Sequence, residues 1–261
     1  MENYNEAITL TFGDQAENHK GMEKYGVLSE EGITVEELNV INEWFKINGA
    51  ETILIELHDL LNEDVKKNNE ACILIIKNGI NILVNDKEWS NLLIQEQSKL
   101  KKDTKAYMYG RVVNKIARHN LCFSEKHLEA DYENGRGTVY SFDEVPYLNT
   151  IREKLGDIGC DKIKNLQIEG NYYYDTKKCG IGWHGDSERR IVVGVRLGKN
   201  IPLCFRWFLN NEPATEIFQI NDLEHGDIYI MSEKAVGTDW KKKKTYTLRH
   251  SAGCEKYIKG K

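Results

Sequence analysis

From Leu166 onward the chain is a run of short apolar segments broken by glycine-bearing turns: LQIEGNYYY, GIGWHGD, RIVVGVRLG, PLCFRWFL, TEIFQI, DIYIMS and TYTLRH. Segments of this length, rich in β-branched and aromatic residues, form strands, and several in succession predict a sandwich or barrel. One of them carries His184 and Asp186 on either side of Gly185. Alternate side chains of a strand share a face, so His-x-Asp sends an imidazole and a carboxylate the same way, about 7 Å apart along the chain. A second imidazole, His250 in TLRHSAGC, completes a set of two histidines and one acid. That is the facial donor set that holds non-haem Fe(II) and leaves coordination positions open. An isolated HxD triplet also occurs in ordinary strands, where the histidine bonds to the aspartate or to solvent. Here it has more context: Tyr172, Tyr173 and Tyr174 upstream, Gly180 and Gly182 just before it, and Ser187, Glu188, Arg189 and Arg190 after it.

The first hundred residues read differently. Ala7 to Phe12 is a short strand. Thr34 to Asn48 is a helix: Thr34 and Glu37 have capping-box spacing, an apolar stripe follows, and Gly49 stops it. ETILIEL and ACILII read as strands, with a short acidic helix near Leu60 between them. Asn78-Gly79 marks a turn, Ile80 to Val84 returns as a strand, and Asp86 caps a helix over Lys87 to Leu100. This alternation predicts a small α/β domain over residues 1–100, without a Walker loop or GxGxxG, that either recognises a partner or substrate or braces a second domain over 105–261. SKLKKDTK reads equally as a linker or as a solvated helix end, and the core strands of the second domain run over 166–258. Pro146 fits the first turn of a helix over Val145 to Leu155.

Composition removes some function classes. No apolar run is long enough to span a bilayer. The acidic N-terminal stretch lacks the basic and apolar regions of a secretory signal, so an intracellular location, cytoplasmic or nuclear, is expected. The six cysteines are scattered with no CxxC pair, which predicts reduced thiols and neither a disulfide framework nor a zinc site. A net charge of −5 argues against broad duplex binding through phosphates and leaves room for a local basic patch.

Asn171-x-Tyr173, a short polar turn, I-G-x-H-x-D-x-E-R and an apolar strand ending in Leu-Gly together resemble the AlkB-like branch of the Fe(II)/2-oxoglutarate dioxygenases. The resemblance continues through CFRWF and LEHGDIYIM and covers roughly Tyr109 to the C-terminus. It implies an α+β protein whose oxygenase core is a double-stranded β-helix, a jelly-roll-like barrel with iron at one mouth. It implies His184, Asp186 and His250 as catalytic iron ligands, 2-oxoglutarate and O2 as co-substrates, and Asn171 and Tyr173 as hydrogen-bonding partners of 2-oxoglutarate. The expected reaction is hydroxylation or oxidative demethylation, with succinate and CO2 released. A carboxylate at Asp186 favours hydroxylation over halogenation. AYMYGRVVNKIARHNLCFS, with Tyr109, Gly110, Arg111, Arg118 and His119, corresponds to the lid over a flipped nucleobase. A basic surface loop is the alternative for that stretch.

The chain departs from the pattern at its end. The family places two arginines on a strand after the distal histidine, whereas only SAGCEKYIKGK follows His250. Lys256, at strand parity with His250, is then the first expectation for the cation that meets 2-oxoglutarate, with Lys259, Arg249 and Arg206 behind it. His225 in LEHGD is the rival third ligand, although the family's distal histidine follows the strand after that turn. Trp240, followed by lysines, stands where a Trp-x-His often lies; on that alignment the third ligand is missing. Lys241 to Lys244 are either a phosphate contact or a solvated loop. A nucleic acid base is the first expected substrate, a protein side chain or small molecule the second, and a non-enzymatic binding module the third possibility.

Overall fold

A computed structural model of the chain describes residues 4–259. The fold is mixed α/β, built on two sheets. In chain order the strands are β1 (Ala7–Gly13), β2 (Thr52–Glu56), β3 (Cys72–Ile76), β4 (His119–Ser124), β5 (Val139–Ser141), β6 (Gln167–Tyr173), β7 (Gly180–His184), β8 (Val192–Gly198), β9 (Leu203–Leu209), β10 (Glu212–Pro213), β11 (Phe218–Ile220), β12 (Ile228–Met231) and β13 (Thr247–Gly253). The large sheet runs β2-β3-β12-β8-β1-β6-β4-β5. The small sheet runs β7-β13-β9-β10, with β11 also paired to β9. Their pairings are antiparallel except that of β4 with β5. From β6 onward the chain passes back and forth between the sheets, because β6, β8 and β12 belong to the large one and β7, β9 and β13 to the small one.

The large sheet has two different faces, and its sequence alternation explains both. In β1, Ile8, Leu10 and Phe12 point into the main core; in β8, Val193, Val195 and Leu197 do the same. Three helices cover this face: α1 (Val35–Ile47), α2 (Trp89–Lys99) and α3 (Pro146–Leu155). They contribute Leu38, Ile41 and Phe45, then Leu93, then Leu148, Ile151 and Leu155. Each such buried side chain contributes on the order of 2 kcal/mol, so this layer holds the sheet. The opposite face meets the small sheet. There Val192, Tyr229 and Met231 pack on Leu203, Phe205, Trp207 and Leu248.

Helix α1 starts as its sequence predicts: Thr34 accepts from the Glu37 amide, and Glu37 reaches back to the Thr34 amide. Ile80 to Val84 departs from expectation. It lies in a helical segment, Gly79–Val84, flanked by Asn78 and Asn85 in left-handed conformation. A short apolar run has no length over which the two periods can be told apart.

The expected division into a 1–100 domain and a 105–261 domain is corrected by the sheet. β1 sits between β6 and β8, and β3 pairs with β12, so strands from the first hundred residues are interior members of the large sheet. One continuous core contains side chains from both halves. A chain beginning at Lys105 therefore loses β1, β2, β3 and two covering helices. It is expected to show no cooperative thermal transition by circular dichroism. A 105–261 fragment that melts as cooperatively as the full chain would restore the two-domain division.

Candidate metal centre

His184, Asp186 and His250 converge between the sheets, their ligand atoms all within 4.8 Å of one another. The pairing of β7 with β13 brings the imidazoles together. Ile181 lies opposite Ala252, yet His184 lies opposite His250, so β7 carries one extra residue in between. Such a bulge bends an edge strand and re-aims its side chains. Directly opposed residues share a face, and the two rings stand edge to face with centroids 4.4 Å apart. Asp186 follows the end of β7, its amide bonded to the Val236 carbonyl at 3.0 Å. Only glycine fits between the two ligands. A Cβ on Gly185 would lie 2.1 Å from the Gly237 carbonyl oxygen, at the end of the short helix Glu233–Val236 that follows β12.

Hydrogen bonding sets the imidazole of His184. Its Nδ1 lies 2.7 Å from the Gly182 carbonyl, which can only accept, so Nδ1 carries the proton and Nε2 keeps a lone pair. That Nε2 is 3.5 Å from Asp186 Oδ1, and His250 Nε2 is 3.6 Å from the same oxygen. Burial, helped by the neighbouring His250, pushes the His184 pKa down to about 3, so the ring is neutral at ordinary pH. Burial opposes the charge of Asp186, but Arg189 and His250 outweigh it and hold the carboxyl well below its usual range. The other oxygen, Oδ2, faces Arg189 Nε at 3.6 Å. Arg189 is itself buried and paired with Glu169 and Glu188. Burial and the nearby Asp186 charge raise Glu188 to about 7. A neutral imidazole, an ionised carboxylate and a second imidazole whose Nε2 faces the same carboxylate make a donor set that fits a divalent transition metal.

These groups open onto a cavity of about 1130 Å³. Its lining on the large sheet includes Thr9, Thr11, Glu169, Asn171, Tyr173, Arg196 and Tyr229. Asn171 and Tyr173 thus line the cavity, and the Asn171 amide is already engaged by Arg118, Asn120 and Glu169. Trp183, Phe208, Trp240 and the cations Arg118, Arg206 and Arg249 also line it.

Other expected residues lie elsewhere or do other work. Lys256 is corrected: β13 ends at Gly253, and Lys256 is exposed on the short helix Glu255–Ile258, its ammonium over the Tyr257 ring. Lys259 reaches the cavity rim but bonds Glu255. Arg249 stacks on Phe208 and Trp240 and donates to Asn211 and the Trp240 carbonyl, so it serves the rim. His225 is not with the other ligands; its Nδ1 accepts from the Gly198 amide and its ring stacks on Tyr4. In the lid-like stretch, Tyr109 is 89% exposed at the tip of a hairpin formed by Lys105–Met108 and Arg111–Asn114, while Arg118 enters the cavity. The six cysteines are free, as expected. No helix among the described residues is long and apolar enough to cross a membrane. Sequence reasoning missed Arg196, a cavity-facing cation in the middle of an apolar strand; the signal was the single charge in IVVGVRLG.

The sequence matches no family model. It is 45% identical over 260 residues to R156, an uncharacterized protein of Acanthamoeba polyphaga mimivirus, an alignment covering 99% of this chain and 100% of that protein. The chain belongs to the family of that mimivirus protein. The match runs the length of both proteins, so it includes β1 to β3 as well as the metal-centre strands.

The His184 environment yields a pH prediction for metal-free protein. The folded state keeps this ring neutral down to about pH 3, whereas an unfolded histidine takes a proton below about 6.5. Acidification through that window therefore favours unfolding. His184→Asn cannot take the proton, so its melting temperature should fall less between pH 7 and pH 5 than that of the wild type in the presence of chelator. Equal falls would contradict the assigned neutral state.

Proposed function

We propose that this protein is an Fe(II)- and 2-oxoglutarate-dependent oxygenase with a double-stranded β-helix core. The observation that carries the proposal is the convergence of two imidazoles and one carboxylate, all facing a cavity large enough for a co-substrate and part of a substrate. The alternation of β6 to β13 between two sheets supports the barrel part of the reading. His184, Asp186 and His250 are the groups that would hold the iron. With 2-oxoglutarate and O2, Fe(II) in such a site supplies an oxidant that hydroxylates a C–H bond, with succinate and CO2 released.

The chain's own residues prepare the site for this. The Gly182 carbonyl holds His184 with its lone pair inward. Arg189 draws Asp186 Oδ2 away and leaves Oδ1 toward the imidazoles. Leu203, Phe205 and Trp207 form an apolar wall against the large sheet, which keeps bulk water out of the interior.

For the substrate, we favour a base of a nucleic acid. Trp183, Phe208 and Trp240 offer stacking faces in the cavity, and Arg118, Arg206 and Lys241 offer cations for a phosphate backbone. A protein side chain or small molecule remains the second reading, favoured by the carboxylates Glu17, Glu169 and Glu188 that also line the cavity.

Purified protein with Fe(II), ascorbate and 2-oxoglutarate is expected to release succinate, and methylated single-stranded oligonucleotides should raise that rate more than peptides do. His184→Ala and Asp186→Ala should each lower it by more than the ~10–100-fold that losing a partner of a metal ligand costs. Succinate release at background level in the wild type, unchanged by either substitution, would overturn the enzyme assignment. Stimulation by peptides alone would leave the chemistry and overturn the substrate.

A further inference from the structure

We propose that Arg196 is the anion anchor of the cavity and that, beside Thr9 and Tyr173, it holds the carboxylate of 2-oxoglutarate farthest from the metal centre. The identity of the anion rests on the oxygenase reading; the presence of an anion subsite does not. Arg196 is 1% exposed and is among the largest fully buried side chains. Along β8, Val193, Val195 and Leu197 enter the helix-covered core, so Val192, Gly194 and Arg196 face the small sheet and the cavity. Its Nε and Nη1 are buried without a hydrogen-bond partner, and no carboxylate among the described residues forms an ion pair with it. Asp227, whose carbonyl takes the Arg196 amide, spends its carboxylate on Lys77 and on the Asn78 amide.

A buried guanidinium without a counter-charge is costly, and proteins rarely keep one unless it is paired. The cavity in front of Arg196 is where a partner would arrive. Thr9 lies in register beside Arg196 on one side and beside Asn171 on the other, which adds a hydroxyl to the same row. Tyr173 lies within electrostatic reach of Arg196. Tyr229 feels Arg196 and also Asp186 and Arg189, and it lines the same cavity as all three. Its ring packs directly on Gly194, where a Cβ would lie 2.0 Å from Tyr229 Cζ. A planar guanidinium in this position offers paired N–H donors to a carboxylate.

The topology explains why this cation comes from an unexpected strand. β13 ends at Gly253 and turns into a short helix. The place between β6 and β8 is filled by β1, from the other end of the chain, and β1 presents the neutral Thr9 and Thr11 to the cavity. The neighbouring strand supplies the charge instead.

The test is calorimetric titration of full-length wild type, Arg196→Met and Arg196→Lys, each loaded with Mn(II), with 2-oxoglutarate and with pyruvate, which lacks the far carboxylate. Arg196→Met should bind 2-oxoglutarate about 100-fold more weakly, the usual scale for removing one partner of a buried charge pair. Arg196→Lys should fall between, while Mn(II) and pyruvate affinities stay the same in all three. Metal-free Arg196→Met should melt no lower than the wild type, because its guanidinium has no protein partner to lose. Wild-type affinity for 2-oxoglutarate in Arg196→Met, or equal affinity of the wild type for pyruvate and 2-oxoglutarate, would overturn the proposal. If the wild type binds no Mn(II), the oxygenase reading fails. The anion subsite is then tested by succinate and inorganic phosphate on metal-free protein: stabilisation of the wild type but not of Arg196→Met supports it, and equal responses overturn it.

Discussion

The pairing of the edge strand β7 with β13 is the constraint on which the site depends. One extra residue in β7 places His184 opposite His250, on the inner face of the small sheet. The same distortion delivers Asp186 past the strand end, where the Val236 carbonyl fixes its amide. The crossing of Gly185 against Gly237 holds this turn close to the segment after β12. Position 185 is therefore sterically restricted, and backbone packing sets the spacing of His184 and Asp186 around it.

Electrostatics then set the charge state of each donor. Burial disfavours every charge in the cavity, and the site answers this differently for each group. His184 stays neutral, with a carbonyl on its far nitrogen. Asp186 stays ionised because Arg189 stands behind it, and Arg189 is matched in turn by Glu169 and Glu188. Arg118, Arg206 and Arg249 have amide or carbonyl partners, whereas Arg196, fully buried on the large sheet, has no ion pair among the described residues and leaves Nε and Nη1 without a partner. The cavity thus combines paired acids with a buried guanidinium that lacks a counter-charge, an arrangement suited to a ligand that brings its own negative charge.

How much of this was legible in the sequence depended on how local each signal is. Helix α1 needs only its cap and stripe and reads correctly, whereas His184 and Asp186 come together through a bulge in β7 and a turn after its end, which strand periodicity alone does not describe. His250 was legible as a distal histidine following an apolar strand. The place of β1 was not: its neighbours β6 and β8 lie more than 150 residues away, and nothing in AITLTF names its partners. The domain boundary failed for the same reason. Lys256 was assigned by extending strand parity past Gly253, whereas the strand stops there, at a glycine with φ of +108°. Arg196 was overlooked because β8 is buried on both faces and its apolar run hides which alternate residues meet helices and which meet the cavity.

The central claim is that one metal ion binds where these strands meet. Anomalous X-ray diffraction from crystals of the full chain equilibrated with Mn(II) tests it most directly. The account predicts one strong peak within bonding distance of His184 Nε2, an Asp186 carboxylate oxygen and His250 Nε2, with its remaining coordination positions turned to the cavity. A peak absent from that place, or bound by other side chains while these three stay as they are, would contradict it.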